Sequence, residues 1–255
     1  MQKGTLDLSI YIFCISLGTR TYFTPKITLI PAKTAMIKRD VPSYKLFNYT
    51  LPFGYDPLDL QEFTTVLLVD VLATHRKDYN PDKLLTIGTG AGRLSSVFLR
   101  VYEGQTVVLS VDSTQTALST AAEGHNINGY GGRSVYCLGQ DLSVLDNVPT
   151  ATQFSLIAYN PYNTNTLHPR RSQRQNNGQA LLDQSLAEFI VLTSKYLDER
   201  GRAFIVIETT KELGKHQRAA GQLGLYFQVE ASRPFEGHIY SAILLSRQKV
   251  DTRMQ

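Results

Sequence analysis

Three glycines and one acidic residue form the first candidate binding site in this sequence. The segment Thr86-Ile87-Gly88-Thr89-Gly90-Ala91-Gly92-Arg93 follows an apolar run. Glycines at such a point allow a tight turn and let a ligand approach bare backbone where the next helix begins. Asp112 ends the next apolar run, 24 residues after Gly88, close to the ~20-residue spacing at which a carboxylate binds ribose hydroxyls. The pattern predicts a nucleotide-like ligand.

The glycine spacing argues against a dinucleotide. The NAD fingerprint G-x-G-x-x-G needs its third glycine at position 93, where this chain has Arg93, and Gly92 comes one residue early. A glycine turn of purely structural use is the alternative. The strand, turn, helix and acid nevertheless occur in the order that a ligand site requires.

The elements that must position these residues alternate between apolar strands and amphipathic helices, which is typical of a parallel sheet with helices on both faces. The predicted strands are Lys83–Ile87, Thr106–Asp112, Ser134–Leu138, Phe154–Asn160, Ala203–Glu208, Leu225–Ala231 and Ile239–Arg247. The predicted helices after the first strand are Gly92–Val101, Ser113–Asn126, Ala180–Leu197 and Lys211–Leu223. We expect a doubly wound, Rossmann-like α/β fold with a seven-stranded, mostly parallel sheet, in which ligands bind at the carboxyl ends of the strands.

The N-terminal part of the chain has a different pattern. Short β-prone runs occur at residues 8–17, 20–30 and 43–49, and they predict a β-rich cap over residues 1–55. Asp56 and Pro57 are suited to begin a helix that runs to about His75, so we expect the Rossmann-like domain over residues 56–255. The apolar run at 6–17 is far shorter than the ~20 residues of a membrane span, and no membrane partner is expected.

Composition and charge exclude several classes of protein. With 42% hydrophobic and 19% charged residues the chain is neither disordered nor a coiled coil. A net charge of +4 permits a phosphate-bearing partner without requiring one. Cys14 and Cys137 lie in apolar runs and are expected to be buried thiols in a reducing, cytoplasmic setting. The histidines have no metal-ligand spacing, so no metal site is expected.

Four motifs follow four successive predicted strands. They are the glycine turn, Val111-Asp112-Ser113, Gln140-Asp141-Leu142 and Asn160-Pro161-Tyr162. In order and approximate spacing over residues 83–249, they resemble the D-x-G-T-G-S-G, V-D, G-D and N-P-P-Y motifs of class I S-adenosylmethionine-dependent methyltransferases. The similarity is strongest to the HemK-like branch, and one proline of N-P-P-Y is missing.

The resemblance implies S-adenosylmethionine as the cofactor. The implied contacts are Thr86, Gly88, Gly90, Gly92, Asp112, Ser113, Asp141, Leu142 and Asn160. The glycines would shape the turn under the methionyl part of the cofactor, Asp112 would bind the ribose, and Asp141 with Leu142 would face the adenine. These roles agree with the acceptor capacity of a carboxylate, although Asp141 could equally cap a helix.

Thr86 departs from the family pattern. It stands where the family usually has an acid, so the amino-acid end of the cofactor must be anchored more weakly or by other residues. A modified cofactor, as in the aminopropyl-transferring relatives of this fold, stays an alternative.

The implied catalytic residues are Asn160, Pro161 and Tyr162. In the family, the Asn side chain and the carbonyl after it accept hydrogen bonds from a substrate nitrogen, and the aromatic ring stacks on the planar group, which orients the nitrogen for in-line attack. A structural turn at the strand end is the alternative. In the family, a similar insertion after the acceptor motif contacts the substrate, so the resemblance implies substrate contacts by Arg170, Arg171 and Arg174. These side chains could bind RNA phosphates or an acidic ligand, and a solvated loop is the alternative.

The resemblance therefore implies methyl transfer to an amide or amine nitrogen of a protein or nucleic acid, so the expected partner is a methyl acceptor, either a protein or an RNA. A small-molecule methyltransferase is one alternative. A cofactor-binding protein without catalysis is another, suggested by Thr86 and the shortened acceptor motif. The β-rich cap replaces the helical N-terminal domain that is usual in the HemK-like branch, which predicts a different mode of substrate recognition.

Overall fold

The structure is a computed structural model. It describes residues 44–46, 49–51, 60–75, 79–102, 106–139, 145, 152–161, 174–209 and 212–250. Most of the predicted cap lies outside these residues. So do five of the predicted site residues: Asp141, Leu142, Tyr162, Arg170 and Arg171.

The described residues form nine strands and five α-helices. The strands are β1 (Tyr44–Leu46), β2 (Tyr49–Leu51), β3 (Lys83–Ile87), β4 (Val107–Asp112), β5 (Ser134–Leu138), β6 (Phe154–Tyr159), β7 (Leu197–Glu208), β8 (Tyr226–Phe235) and β9 (His238–Ser246). The helices are α1 (Leu60–His75), α2 (Arg93–Val101), α3 (Gln115–Ile127), α4 (Arg174–Tyr196) and α5 (Leu213–Gln222). None of these helices is long and apolar enough to cross a membrane.

Seven strands form one sheet in the order β5-β4-β3-β6-β7-β9-β8. The strands from β5 to β7 are parallel, whereas β9 is antiparallel to both β7 and β8. The chain proceeds outward from β3 to β4 and β5, and then returns to place β6 on the other side of β3. This reversal is the switch point at which open α/β sheets bind ligands. The predicted seven-stranded, mostly parallel, Rossmann-like fold is confirmed.

Two apolar layers hold the helices against the sheet. On one face, α1 and α2 pack on β3, β6 and β7 through side chains that include Leu67, Phe98, Leu84, Leu156 and Phe204. On the other face, α4 packs through Phe189 and Ile190 on Ile157 and Ile205. The alternation along each strand explains the two layers, because successive side chains point to opposite faces. Strands that are buried on both faces read as unbroken apolar runs.

The largest differences from the predicted bounds are in the second half of the chain. The fifth strand of the sheet, β7, begins at Leu197 rather than Ala203, because Leu197 pairs with Phe154 before a register shift. Its polar residues Asp198 to Arg200 had the composition of a turn. Helix α4 begins at Arg174 rather than Ala180.

Candidate functional site

The glycine turn joins β3 to α2 at the switch point of the sheet. All three glycines have left-handed backbones, with φ of 62° at Gly88, 52° at Gly90 and 79° at Gly92. A side chain at any of the three would strain the backbone. Gly92 is the N-cap of α2 and supplies no side-chain hydrogen bond to the helix. The first turn of α2 thus has N–H groups of the kind that bind anionic or polar ligand atoms.

Gly92 is also required by packing. An added Cβ would lie 2.7 Å from Ala121 Cβ and 2.8 Å from Ala121 Cα, which is closer than nonbonded carbon atoms approach. Helix α3 therefore packs directly against the glycine turn, and Gly92 contacts Ala121 of α3 without an intervening side chain.

Asp112 is brought to the glycine turn as predicted, but it is already hydrogen-bonded within the protein. Its Oδ2 accepts from the Gly90 N–H at 2.8 Å. Its Oδ1 accepts from the N–H and the hydroxyl of Thr114 at 3.0 and 3.1 Å, and the residue is only 3% exposed. Two carboxylate oxygens offer about four acceptor positions, so Asp112 can fix the turn and still accept a further hydroxyl. Its neighbour Ser113 is partly exposed.

Thr86 lies beneath the turn. It is fully buried, and its hydroxyl contacts Thr89 Oγ1 at 2.7 Å and donates to Ser110 Oγ at 3.3 Å. Where the family usually has an acid, this chain has a buried hydroxyl layer that supports the turn.

Asn160 reaches the same edge, because Ile87 pairs with Tyr159 on one side and with Val111 on the other. Gly88 therefore lies between Asp112 and Asn160 on three neighbouring strands, at roughly 4.8 Å per strand. The register shows that the glycine turn, Asp112 and Asn160 lie together at the carboxyl ends of β3, β4 and β6. Pro161 follows and is buried.

The Asn160 amide is bound by helix α1. Its Nδ2 donates to Thr64 Oγ1 at 2.9 Å and to Thr65 Oγ1 at 3.2 Å. Its Oδ1 accepts from the Thr64 hydroxyl at 3.2 Å, and the side chain is 0% exposed. Sequence reasoning missed both threonines. The available sequence signal was two consecutive threonines between Phe63 and Val66 of the predicted helix.

A second buried polar group that sequence reasoning missed lies behind the turn. His125 of α3 contacts Ser95 of α2 and Tyr136 of β5, at 2.9 and 2.8 Å, and its ring stacks on Tyr136 at 5.7 Å between centroids. Burial lowers the pKa of His125 to about 4, so the ring is neutral at ordinary pH. Within the described residues, no group of three or more His, Cys, Asp and Glu side chains is arranged to hold a metal ion.

The residues at this edge fit an adenosyl ligand. The left-handed glycines provide a turn without side chains, the uncapped helix start provides N–H groups, and Asp112 provides an acceptor. The position of Arg93 within helix α2 is consistent with the absence of a third NAD-type glycine. At the position where the resemblance would place an acid, Thr86 is buried under the turn.

Solved structures share this fold. A methyltransferase from Pyrococcus furiosus is 13% identical over 76% of this chain and 88% of that chain, with a TM-score of 0.53. The delta-N METTL16 MTase domain is 10% identical over 72% of this chain and 83% of that chain, with a TM-score of 0.53. Precorrin-6y C5,15-methyltransferase from Geobacter metallireducens GS-15 is 12% identical over 76% and 92% of the two chains, with a TM-score of 0.50. These similarities show the class I methyltransferase fold.

No protein-family profile matches the sequence, and neither does any curated protein.

Proposed function

We propose that this protein is an S-adenosylmethionine-dependent methyltransferase. The observation that carries the proposal is the left-handed glycine turn, tied to Asp112 by the Gly90 N–H at the switch point of the sheet. A turn of this kind accepts a nucleoside without side-chain obstruction, and the acid beside it suits a ribose. The fold that the chain shares with solved methyltransferases supports the same ligand.

The bound cofactor would supply a methyl group on a positively charged sulfur, so the protein needs mainly to bind and orient two partners. Gly88, Gly90 and Gly92 would form the floor of the cofactor site. Asp112 would accept a ribose hydroxyl while it keeps its bond to the turn. These roles require no metal ion and no general base among the residues at this edge.

We further propose that the acceptor atom is an amide or amine nitrogen of a protein or nucleic acid. The proposal rests on the Asn160-Pro161-Tyr162 motif and on the place of Asn160 beside Gly88. For its side chain to bind an acceptor, Asn160 must exchange a threonine partner for the substrate nitrogen, whereas its following carbonyl lies on the backbone and needs no such exchange. The HemK-like assignment and the contacts of Arg170, Arg171 and Arg174 with substrate belong to this proposal.

A second candidate is a protein that binds the cofactor without transferring its methyl group. The observation that favours it is the complete burial of the Asn160 amide against Thr64 and Thr65. If that arrangement is permanent, Asn160 stabilises the fold and does not orient an acceptor.

Calorimetry with S-adenosylmethionine and S-adenosylhomocysteine tests the cofactor proposal. We expect micromolar dissociation constants, or about 8 kcal/mol, and no heat with NAD. Binding of NAD with no heat from either adenosyl compound would overturn the proposal.

A survey with methyl-labelled S-adenosylmethionine on bulk protein, bulk RNA and small metabolites then separates the candidates. Label in protein or RNA supports the nitrogen proposal, label only in small metabolites favours the small-molecule alternative, and binding without label favours the second candidate.

We also propose that the chain divides into two domains at residue 55 and that the protein works in the cytoplasm. Cys137 supports a reducing setting, because it is a buried free thiol whose pKa is raised by burial.

A further inference from the structure

A chain of hydrogen bonds runs from β5, the edge strand of the sheet, to the glycine turn. It begins at the hydroxyl of Tyr136 on β5, 2.8 Å from His125 Nδ1. It continues from His125 Nε2 to Ser95 Oγ at 2.9 Å, and Ser95 Oγ donates to the Gly92 carbonyl at 3.1 Å. One strand, β5, and two helices, α3 and α2, are thereby connected to one backbone atom of the turn.

The direction of the chain follows from its last member. Ser95 Oγ donates its single proton to the Gly92 carbonyl, so that proton is not available for His125. Ser95 must then accept from His125, which places the ring proton on Nε2. The Nδ1 of His125 is left as an acceptor for the Tyr136 hydroxyl. With the Ser95 proton on the Gly92 carbonyl, the Nε2–H tautomer of His125 is the one that hydrogen-bonds to both Ser95 and Tyr136.

The burial of these groups makes a merely incidental contact a poor explanation. Ser95 and His125 are 0% exposed, and Tyr136 is 8% exposed. Buried polar groups carry a desolvation cost that apolar side chains of similar size avoid. Apolar residues would hold α2 against α3 equally well, as Ala121 already does against Gly92. The Gly92 carbonyl already accepts the helical hydrogen bond of the Ser96 N–H at 2.9 Å. The polar chain adds a second hydrogen bond to this carbonyl and connects it to α3 and β5.

The turn is consequently anchored from two sides. From β4, Asp112 holds the Gly90 N–H. From α3, the chain through His125 holds the Gly92 carbonyl. Between these two anchors lies Ala91, which is partly exposed while both glycines are buried.

We propose that Tyr136, His125 and Ser95 are positioning residues for the cofactor site, and that they fix the glycine turn in the conformation that binds the adenosyl compound. The inference rests on the proposed function, since it concerns the same site. His125 does not touch the ligand; it acts through Ser95 and Gly92. Burial lowers the pKa of His125 to about 4, so above that pH the ring is neutral and one of its nitrogens is free to accept a hydrogen bond.

The test compares cofactor affinity with stability in matched variants. His125→Phe removes the chain and keeps an aromatic ring, and we expect the affinity for S-adenosylhomocysteine to fall roughly tenfold, the equivalent of one lost hydrogen bond. His125→Gln keeps an amide N–H near the position of Nε2, so its affinity should stay within about threefold of the parent. Tyr136→Phe should give an intermediate loss. Ile190→Val, in the core on the opposite face of the sheet, should leave the affinity unchanged.

Thermal unfolding of each variant separates positioning from folding. The proposal requires that His125→Phe and His125→Gln differ in affinity when both are measured well below their melting temperatures. Equal affinity of parent and His125→Phe overturns the positioning role and leaves the proposed function intact. Failure of the parent to bind S-adenosylhomocysteine overturns both.

Nitrogen-15 histidine spectra give a readout that does not depend on activity. The chain predicts that His125 is the Nε2–H tautomer and that its resonances shift when S-adenosylhomocysteine is added. An Nδ1–H tautomer would contradict the direction of the chain.

Discussion

Asp112 is hydrogen-bonded to the glycine turn and is proposed to bind the ribose as well, so its substitution should affect both stability and cofactor binding. Asp112→Ala should weaken S-adenosylhomocysteine binding by roughly 1.5–3 kcal/mol, because a charge-assisted bond to the ribose is lost. It should also lower the free energy of unfolding, because the Gly90 N–H and Thr114 lose their acceptor. Calorimetry and urea unfolding measure the two effects separately.

Thr114→Val is the matched control for Asp112. It removes the hydroxyl that donates to Asp112 and caps α3, which should cost about 1 kcal/mol of stability without changing affinity. If Asp112→Ala is folded and binds as tightly as the parent, the carboxylate serves only the turn.

Asn160 is the residue at which binding and catalysis should separate. Asn160→Ala should leave cofactor affinity nearly intact and reduce turnover by about 100-fold or more, because a misoriented acceptor loses its near-attack geometry. Some loss of stability is expected as well, since Thr64 and Thr65 lose a buried partner. The measurement is single-turnover methyl transfer to the acceptor found in the survey.

Thr65→Val distinguishes the two roles of Asn160. It removes the hydrogen bond between Thr65 Oγ1 and Asn160 Nδ2 but keeps Asn160 itself. Turnover retained in Thr65→Val and lost in Asn160→Ala supports contact with the acceptor. Parallel losses in both variants, or full activity of Asn160→Ala, would assign Asn160 to the fold alone.

At the scale of elements, the close approach of α2 and α3 depends on Gly92. Gly92 and Gly129 have the same φ of 79°, but an added Cβ meets Ala121 at 2.7 Å in the first and nothing within 4 Å in the second. Gly129→Ala should therefore cost only the backbone strain, about 1 kcal/mol. Gly92→Ala should cost roughly 2–4 kcal/mol, since overpacking is added to that strain. Urea unfolding of both variants isolates the packing part.

The contact with Ala121 provides a rescue for Gly92. The double variant Gly92→Ala with Ala121→Gly removes the clashing methyl group, and it should recover part of the stability lost in Gly92→Ala. Equal costs in Gly92→Ala and Gly129→Ala would show that the two helices can separate without penalty.

At the scale of the whole molecule, acid stability should depend on His125. Its pKa falls from the ordinary 6.5 to about 4 on folding because the ring is buried. Between these values the unfolded chain binds a proton that the folded protein does not. The free energy of unfolding should therefore decrease as the pH falls from 6.5 to 4, by up to about 3 kcal/mol from this group. Below pH 4 its contribution is constant.

Urea unfolding of the parent and of His125→Gln across that pH range checks this prediction. The variant lacks the imidazole, so its stability should fall less steeply between pH 6.5 and 4. Identical slopes would mean that the folded protein protonates the ring with little penalty.

The proposed domain division leads to a second prediction at this scale. A chain of residues 56–255 should fold and bind S-adenosylhomocysteine with affinity close to that of the parent, because the seven-stranded sheet, both helix layers and the glycine turn lie within it. It loses the contact between β2 and α2, so a small loss of melting temperature is expected. Calorimetry and thermal unfolding measure both. A chain that does not fold would place residues 1–55 within the same cooperative unit.

The sequence by itself determined the fold class and the location of the glycine turn. Apolar strands and amphipathic helices are both recognised from local periodicity, and their alternation along the chain predicts a parallel sheet. The bounds of two strands, Lys83–Ile87 and Ser134–Leu138, were predicted to the residue. Glycines after a strand and an acid after the next one also belong to local signals. The start of β7 was not predicted, because pairing of Leu197 with Phe154 is a long-range contact that polar local composition conceals.

Only the tertiary structure decided what the polar side chains do. Thr64 and Asn160 are 96 residues apart, and His125 connects groups from three elements. These hydrogen-bond partners are determined by burial, because a polar group that is removed from water needs a donor or acceptor nearby. The reach is set by helix packing on the sheet and not by spacing along the chain. The sequence therefore predicts the glycine turn, Asp112 and Asn160 as candidate site residues, and the fold determines which side chains they are hydrogen-bonded to.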